Sequence, residues 1–425
     1  VSNALSLKKP ILLWSLASLF FAFQFILRLS TGILREEIIQ RFAIDTIAFG
    51  TLAGYYYLGY AGMQLPIGIM LDKFDFRVVT FVSIVVTALG TFTFATSSDF
   101  NYLLIGRLMI GAGSAVGFLS VAKITTKYFP VKYHSIMLGF SFTFGLIGAV
   151  FGVTPMKLLF NHFGYNYTFY TLAFVGLGIG LMILLVKNDK HEQTIYSHDV
   201  NNNKSLILKL FLNPTILSIG FLGGLMVGSL EGFADVWAMP FFTQIYQLSE
   251  MESNIATSLV YVGMCFGGPI LAFLASLLKS NNSIIIIAGV MMGIIFVILL
   301  SFSSLNFLAT SILMFLLGIF CCYQVLIFTM VSNIVPSKSS GLAIAIVNCI
   351  NMSFGHIFHK FMSILISYNW DGLVNNSNVP IYSRDDFIMA ISIIPICCII
   401  GIIGFMYLFQ KSKIKLQTTT GKVTV

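Results

Sequence analysis

Charge is what this chain has least of. Only 9% of its 425 residues are Asp, Glu, Lys or Arg, against about 25% in soluble globular domains. A water-soluble core of this size is therefore excluded. Cysteine is also sparse. The six, Cys265, Cys321, Cys322, Cys349, Cys397 and Cys398, all sit in apolar runs without zinc or disulfide spacing, so they read as small packing residues. The sequence presents no nucleophile with a base partner, no phosphate-binding loop and no metal-ligand cluster. It argues against an enzyme and implies no cofactor and no resident metal. Breaks in the hydropathy are few. The first apolar run is too long for a cleavable signal peptide and is expected to stay as a span.

What is present is apolar residues in long runs: 57% of the chain is hydrophobic. Twelve segments are each long enough to cross a bilayer, which takes about 20 predominantly apolar residues. They are expected near 10–34, 46–70, 78–97, 101–126, 135–158 and 165–187, then 212–243, 253–278, 283–302, 306–333, 339–367 and 386–410. One polar, Asn-rich stretch separates six from six. The expected organisation is an N-terminal six-helix bundle (1–187), a linker (188–210), a C-terminal six-helix bundle (211–412) and a basic, disordered tail (413–425). The fold class is an all-α membrane protein. A six-plus-six layout suits two halves rocking about a central site.

The net charge of +8 is a matter of distribution, and it does not call for nucleic acid. Most Lys and Arg fall in loops on the side of the termini, while Arg35, Arg41, Lys157 and Arg384 lie on the other. By the positive-inside rule both termini are cytoplasmic.

The halves also look like diverged copies. Arg28 and Pro66 in the first half, and Glu231 and Pro269 in the second, share one offset of 203. Arg28 and Glu231 are therefore expected at equivalent places in the two bundles.

Three stretches carry a resemblance. The loop Gly68-Ile-Met-Leu-Asp72-Lys73-Phe-Asp-Phe-Arg77 resembles the loop signature of the major facilitator superfamily, with Asp75 and Phe76 departing from its pattern and Ala275 at the equivalent C-half position. Leu103-Leu-Ile-Gly-Arg107-Leu-Met-Ile-Gly111-Ala-Gly113 resembles the fourth-span motif with its buried Arg. Gly139, Gly145, Gly148, Gly152 and Pro155 resemble the Gly-rich fifth span, where small residues permit close helix contact. The chain is thus similar to that superfamily over essentially its full length. Tyr382-Ser-Arg-Asp-Asp-Phe and the layout of Phe21 to Pro66 are similar to its sugar-phosphate-permease-like bacterial branch. In organophosphate:phosphate antiporters a first-span Arg and a seventh-span Arg hold phosphate. Arg28 matches the first, but Glu231 stands at the second, which argues against phosphate exchange.

The resemblance implies a multi-pass secondary transporter of a bacterial inner membrane, monomeric, with a small-molecule substrate, protons and the lipid bilayer as its partners. Asp72, Lys73 and Arg77 are then gating residues. Asp72 at a helix end can face helix amino termini across the half-to-half contact, and Lys73 and Arg77 hold the loop in the cytoplasm.

Charges inside a membrane are costly, and each is a functional candidate. Arg28 offers a planar fork for a carboxylate or phosphate; its structural alternative is a partner for Glu231 or for carbonyls. Glu231 and Asp235 share a helix face at a spacing of four. A carboxylate in a dry cavity favours its neutral form, as proton coupling requires. Glu231 could instead grip a substrate ammonium or form a fixed bridge to Arg28. Arg107 is a candidate for proton coupling or helix contact, and Lys123 reads as snorkelling. His356 could titrate. Lys360, four residues on, could add positive charge to a cavity; with His359 the spacing does not complete a metal site. Gln324 and Asn348 are polar span positions expected to bind substrate, Asn351 is a further polar span position, and Tyr55, Tyr56, Tyr57 and Tyr60 cluster in the second span.

The expected function is proton-coupled transport of a small polar organic solute. The solute is an organic anion, or a zwitterion such as an amino acid or small peptide. The alternatives are a drug or siderophore exporter of the same fold and a non-transporting membrane sensor.

Overall fold

The computed structural model describes residues 2–186, 208–336, 339–376 and 378–420. Among them the chain is almost wholly helical. The first half comprises α1 (Ser2–Ile33), α2 (Arg35–Phe42), α3 (Thr46–Lys73), α4 (Phe76–Thr96), α5 (Phe100–Ser114), α6 (Val116–Tyr128), α7 (Val131–Phe151), α8 (Thr154–Phe163) and α9 (Tyr165–Leu185). The second comprises α10 (Pro214–Met226), a π-helical segment (Gly228–Trp237), α11 (Ala238–Gln244), α12 (Glu250–Leu277), α13 (Asn281–Ser301), α14 (Phe307–Cys321), α15 (Tyr323–Asn333), α16 (Ser340–Tyr368), α17 (Arg384–Ile391) and α18 (Ile393–Thr420).

Helix starts are written in the sequence. Asp45, Asp75 and Asp99 each accept a backbone N–H at the start of α3, α4 and α5, satisfying donors that a helix leaves unpaired. Ser249 with Glu252, and Ser383 with Asp386, form reciprocal capping boxes on α12 and α17. Asn213 followed by Pro214 opens α10.

Eleven helical stretches are long and apolar enough to cross a membrane. The 28-residue α3 (Thr46–Lys73) is the twelfth crossing. Its four tyrosines and its glycines dilute its hydropathy because this helix faces the other half. Several expected spans are broken. The fourth is split into α5 and α6, the fifth at Gly152 ahead of Pro155, the tenth at Cys322, and the twelfth before Pro395. Proline lacks the N–H donor and collides with the carbonyl four residues back. The linker expected at 188–210 lies outside the described residues apart from 208–210. The tail departs from expectation: α18 continues through Thr420. Basic and Thr residues lower helix propensity only slightly, and the next glycine is Gly421.

Within the first half, α4 packs on α5 and α9, and α1 on α7. Within the second, α12 packs on α14, and α13 on α18. The halves meet where α3 lies along α16, α7 along α12, and α1 against the π-helical segment. These contacts gather at the end of the molecule opposite the termini, called distal below. Going from that end inward, a methyl added at Gly50 would strike Ser363, one at Gly54 would strike His356, and one at Gly355 would strike Tyr57. Cys349 Sγ donates to the carbonyl of Ala61 at 3.1 Å. Nearer the termini, a methyl at Gly62, Gly68 or Gly341 would meet nothing.

Candidate functional site

Where the halves meet, α1 delivers Arg28 and the π-helical segment delivers Glu231 and Asp235. All three are buried. Arg28 Nη2 donates to Glu231 Oε2, and Arg28 Nε donates to Asp235 Oδ2 at 3.0 Å. The guanidinium lies over the rings of Tyr57 and Phe25, 5.0 and 5.4 Å from their centroids. Tyr57 donates to Asp235 Oδ2, and Tyr261 donates to Asp235 Oδ1 at 2.6 Å. One guanidinium, two carboxylates and two phenols thus form a single network drawn from both halves. With both acids ionised, it carries one net negative charge.

Both acids sit in Gly228–Trp237, which is π-helical. Such segments are uncommon and often mark functional sites. Gly32 allows the approach. A Cβ there would lie 2.0 Å from the carbonyl oxygen of Asp235, so only glycine lets α1 come this close.

Arg107 stands behind the cluster. Its Nη1 donates to Leu27 O at 2.8 Å and its Nη2 to Arg28 O at 2.7 Å, while its guanidinium lies 4.9 Å from the Tyr56 ring centroid. It holds the backbone of the residue whose side chain binds the acids. Tyr56 in turn donates to Gln24 on α1. His359 is buried with its ring 5.2 Å from that of Tyr57.

The family model of the Major Facilitator Superfamily matches residues 13–358. The chain belongs to that superfamily. YybO of Bacillus subtilis (strain 168), described as an uncharacterized transporter, is 22% identical over 356 residues, which cover 78% of this chain and 81% of the relative. A bacterial homologue of the human lysosomal transporter Spinster, solved inward-facing and unoccupied, superposes with a TM-score of 0.73 at 15% identity, covering 95% of this chain and 98% of that one. The nucleoside transporter NupG superposes with a TM-score of 0.72 at 12% identity, covering 95% and 99%. The superfamily identity makes this protein a multi-pass membrane transporter of a small-molecule solute, and not an enzyme.

The superfamily loop is tied to α6 and to the end of α9. Lys123 Nζ meets Asp72 at 2.6 Å, so Lys123, expected to snorkel, has a carboxylate partner. Arg77 grips Asp75 at 2.5 Å and the carbonyl of Val186 at the end of α9. Burial alone would push the Asp75 carboxyl up, but the hydrogen bonds from Arg77 outweigh it and hold Asp75 below the usual carboxylate range. Asp75, which departs from the family pattern, thus caps α4 and anchors Arg77. Lys73 is exposed.

Other expected site residues lie apart from the cluster. Lys360 is exposed on the face of α16 that also shows Ile357, Phe361 and Ile364, so it does not reach the acids or Arg28. Its long stem fits an outward, snorkelling placement. His356 packs against Tyr55, with ring centroids 6.1 Å apart, and its Nδ1 has no partner. Gln324 and Asn348 are half-buried, and the Gln324 Nε2 is unpartnered. Asn351 is fully buried with neither amide atom paired. The sequence reading missed Tyr261. A signal was present: Tyr57 and Tyr261 are separated by one more than the offset of 203 that relates Arg28 to Glu231.

Proposed function

We propose that this superfamily member is a proton-coupled symporter for a small polar organic solute carrying an acidic group. The observation behind this reading is that Arg28 is shared between Glu231 and Asp235 across the two halves. An acidic group that takes the guanidinium fork must displace a carboxylate. Three donors converge on Asp235, from Arg28, Tyr57 and Tyr261, which leaves Glu231 as the acid to be displaced. A buried carboxylate stripped of its cation is expensive. A proton on Glu231 removes that cost, so solute and proton bind together and leave together. When both have left, Arg28 bonds again to Glu231 and the empty carrier can reorient.

The solute is then an organic anion, or a zwitterion whose amino group meets one of the acids. Lys360 is not part of this reading. The excess of Lys and Arg in loops on the terminal side supports cytoplasmic termini; a bacterial inner membrane and a monomeric working unit complete the proposal.

The test is thermal stabilisation of detergent-purified protein by amino acids, dipeptides, organic acids and sugar phosphates at two pH values. Arg28→Ala and Glu231→Gln are run in parallel, followed by uptake of any hit into proteoliposomes with and without a pH gradient. A stabilising anion lost with Arg28→Ala, whose uptake follows the gradient only when Glu231 is intact, supports the proposal. A zwitterion lost with both variants assigns Glu231 to the amino group. Stabilisation only by bulky amphipathic compounds overturns the proposal in favour of an exporter.

A further inference from the structure

Seven positions beyond Arg28, just past the end of α1, the chain presents a second buried guanidinium. Arg35 opens α2 and is only 2% exposed. Among the described residues no carboxylate pairs with it. Its Nε and Nη1 have no hydrogen-bond partner among the described residues, its Nη2 makes one long contact of 3.4 Å with Thr46 Oγ1, and the Tyr382 hydroxyl and the Glu36 carboxylate act on it from nearby. Aromatic rings surround it instead, at 5.6 Å for Trp237, 5.9 Å for Tyr382 and 6.0 Å for Phe49. Ring faces recover part of a cation's lost hydration. They do not satisfy the N–H groups of Nε and Nη1.

The cage is divided between the halves. Phe49 and Thr46 belong to the first, Trp237 and Tyr382 to the second, and Tyr382 donates to Thr46 across the divide. Those two residues also line a cavity of about 570 Å³ open at the distal surface, with Gln40, Asp45, Trp370 and Asn378. When the halves part at this end, Trp237 and Tyr382 move away together. Arg35 is then uncovered beside the cavity, with a fork of donors and no acid to occupy it.

We infer that Arg35 is a second anion-docking position, exposed only in the distal-open state, which receives a carboxylate or phosphate group on its way to Arg28. This rests on the proposed preference for acidic solutes. Arg35 follows Arg28 by seven positions, across the turn at Leu34 that joins α1 to α2, and the inner arginine is already occupied by Glu231 and Asp235. The caged cation also explains why distal closure needs an empty mouth: rings fill the space an anion would take.

The test needs no knowledge of the solute. A Thr46→Cys variant, in a background with the native cysteines changed to Ser, is reconstituted and treated from the distal side. The probes are an anionic sulfonatoethyl and a cationic trimethylammonioethyl methanethiosulfonate. In each, the thiolate introduced at position 46 forms a mixed disulfide and methanesulfinate leaves. Local positive charge in a cleft should favour the anionic reagent about tenfold. Arg35→Gln should bring the rate ratio close to one, Arg35→Lys should keep it, and inorganic phosphate should slow the anionic reagent only when position 35 carries a cation. A ratio indifferent to position 35 overturns the inference, as does a lack of reaction with either reagent. Failure of the symport proposal would appear instead in the Arg28 and Glu231 variants, which this experiment leaves untouched. If Arg35→Gln does not fold, the phosphate dependence in the unsubstituted Arg35 protein decides the question.

Discussion

Arg28 is held to two acids whose burial makes each dependent on it. Removing the guanidinium alone leaves two carboxylates facing one another without a cation, and breaking such a buried pair typically costs about 3–5 kcal/mol. Arg28→Gln should therefore lower the melting temperature in detergent, and adding Glu231→Gln should restore part of the loss. A double variant no more stable than the single one would show that the two residues are not energetically linked. Arg107 makes a different prediction because it binds backbone. Its hydrogen bonds to the carbonyls of Leu27 and Arg28 are from a charged donor, each worth about 1.5–3 kcal/mol. Arg107→Gln should destabilise the protein while leaving the pH dependence of uptake unchanged. A shifted pH profile would make Arg107 part of the proton path.

Among the elements, the π-helical segment and α1 bring the two halves together backbone against backbone. Gly32 sets this contact, since a methyl there would collide with backbone, which cannot swing aside as a side chain can. Overpacking of this kind costs about 1–3 kcal/mol. The cost falls only on the distal-closed state, so Gly32→Ala should move the population toward distal opening by about 5- to 160-fold. Faster labelling at a Thr46→Cys reporter would register the shift; an unchanged rate would mean that α1 and the segment do not separate during transport. Most helix starts at this scale were legible from Asp, Ser, Asn and Pro at their first positions. The winding of Gly228–Trp237 was not. No local residue pattern demands it, and it arises where α1 and α16 press on the seventh crossing.

For the whole molecule, distal closure is latched by charge as well as by packing. Lys157 of the first half meets Glu37 of its own half at 2.6 Å and Glu250 of the other half at 2.9 Å. Burial alone would lower the lysine's pKa, but the hydrogen bonds from Glu37 and then Glu250 raise it overall. A raised folded pKa means that the latch is fully present below the ordinary lysine value of about 10.4 and is lost as pH rises through the higher folded value. Distal labelling should therefore not change from this group between about pH 6 and 9. Lys157→Met should raise it at every pH in that window, and an effect confined to high pH would contradict the assignment.

The sequence by itself determined that the chain crosses a membrane twelve times in two related halves, because hydropathy depends on composition over a span and tolerates errors of register. It also singled out Arg28, Glu231 and Asp235, since a charge within an apolar run is improbable unless something is gained by it. The same rule drew attention to Lys360, which shows its limit. A span reveals that it holds a charge but not which way that charge points. Only the tertiary structure decided that Lys360 faces outward, that Tyr261 joins Tyr57 on Asp235, and that Arg35 is caged by rings from both halves. Those facts depend on the rotation and offset of one helix against another, which are fixed by glycine contacts between residues far apart in the chain and leave no period in the sequence.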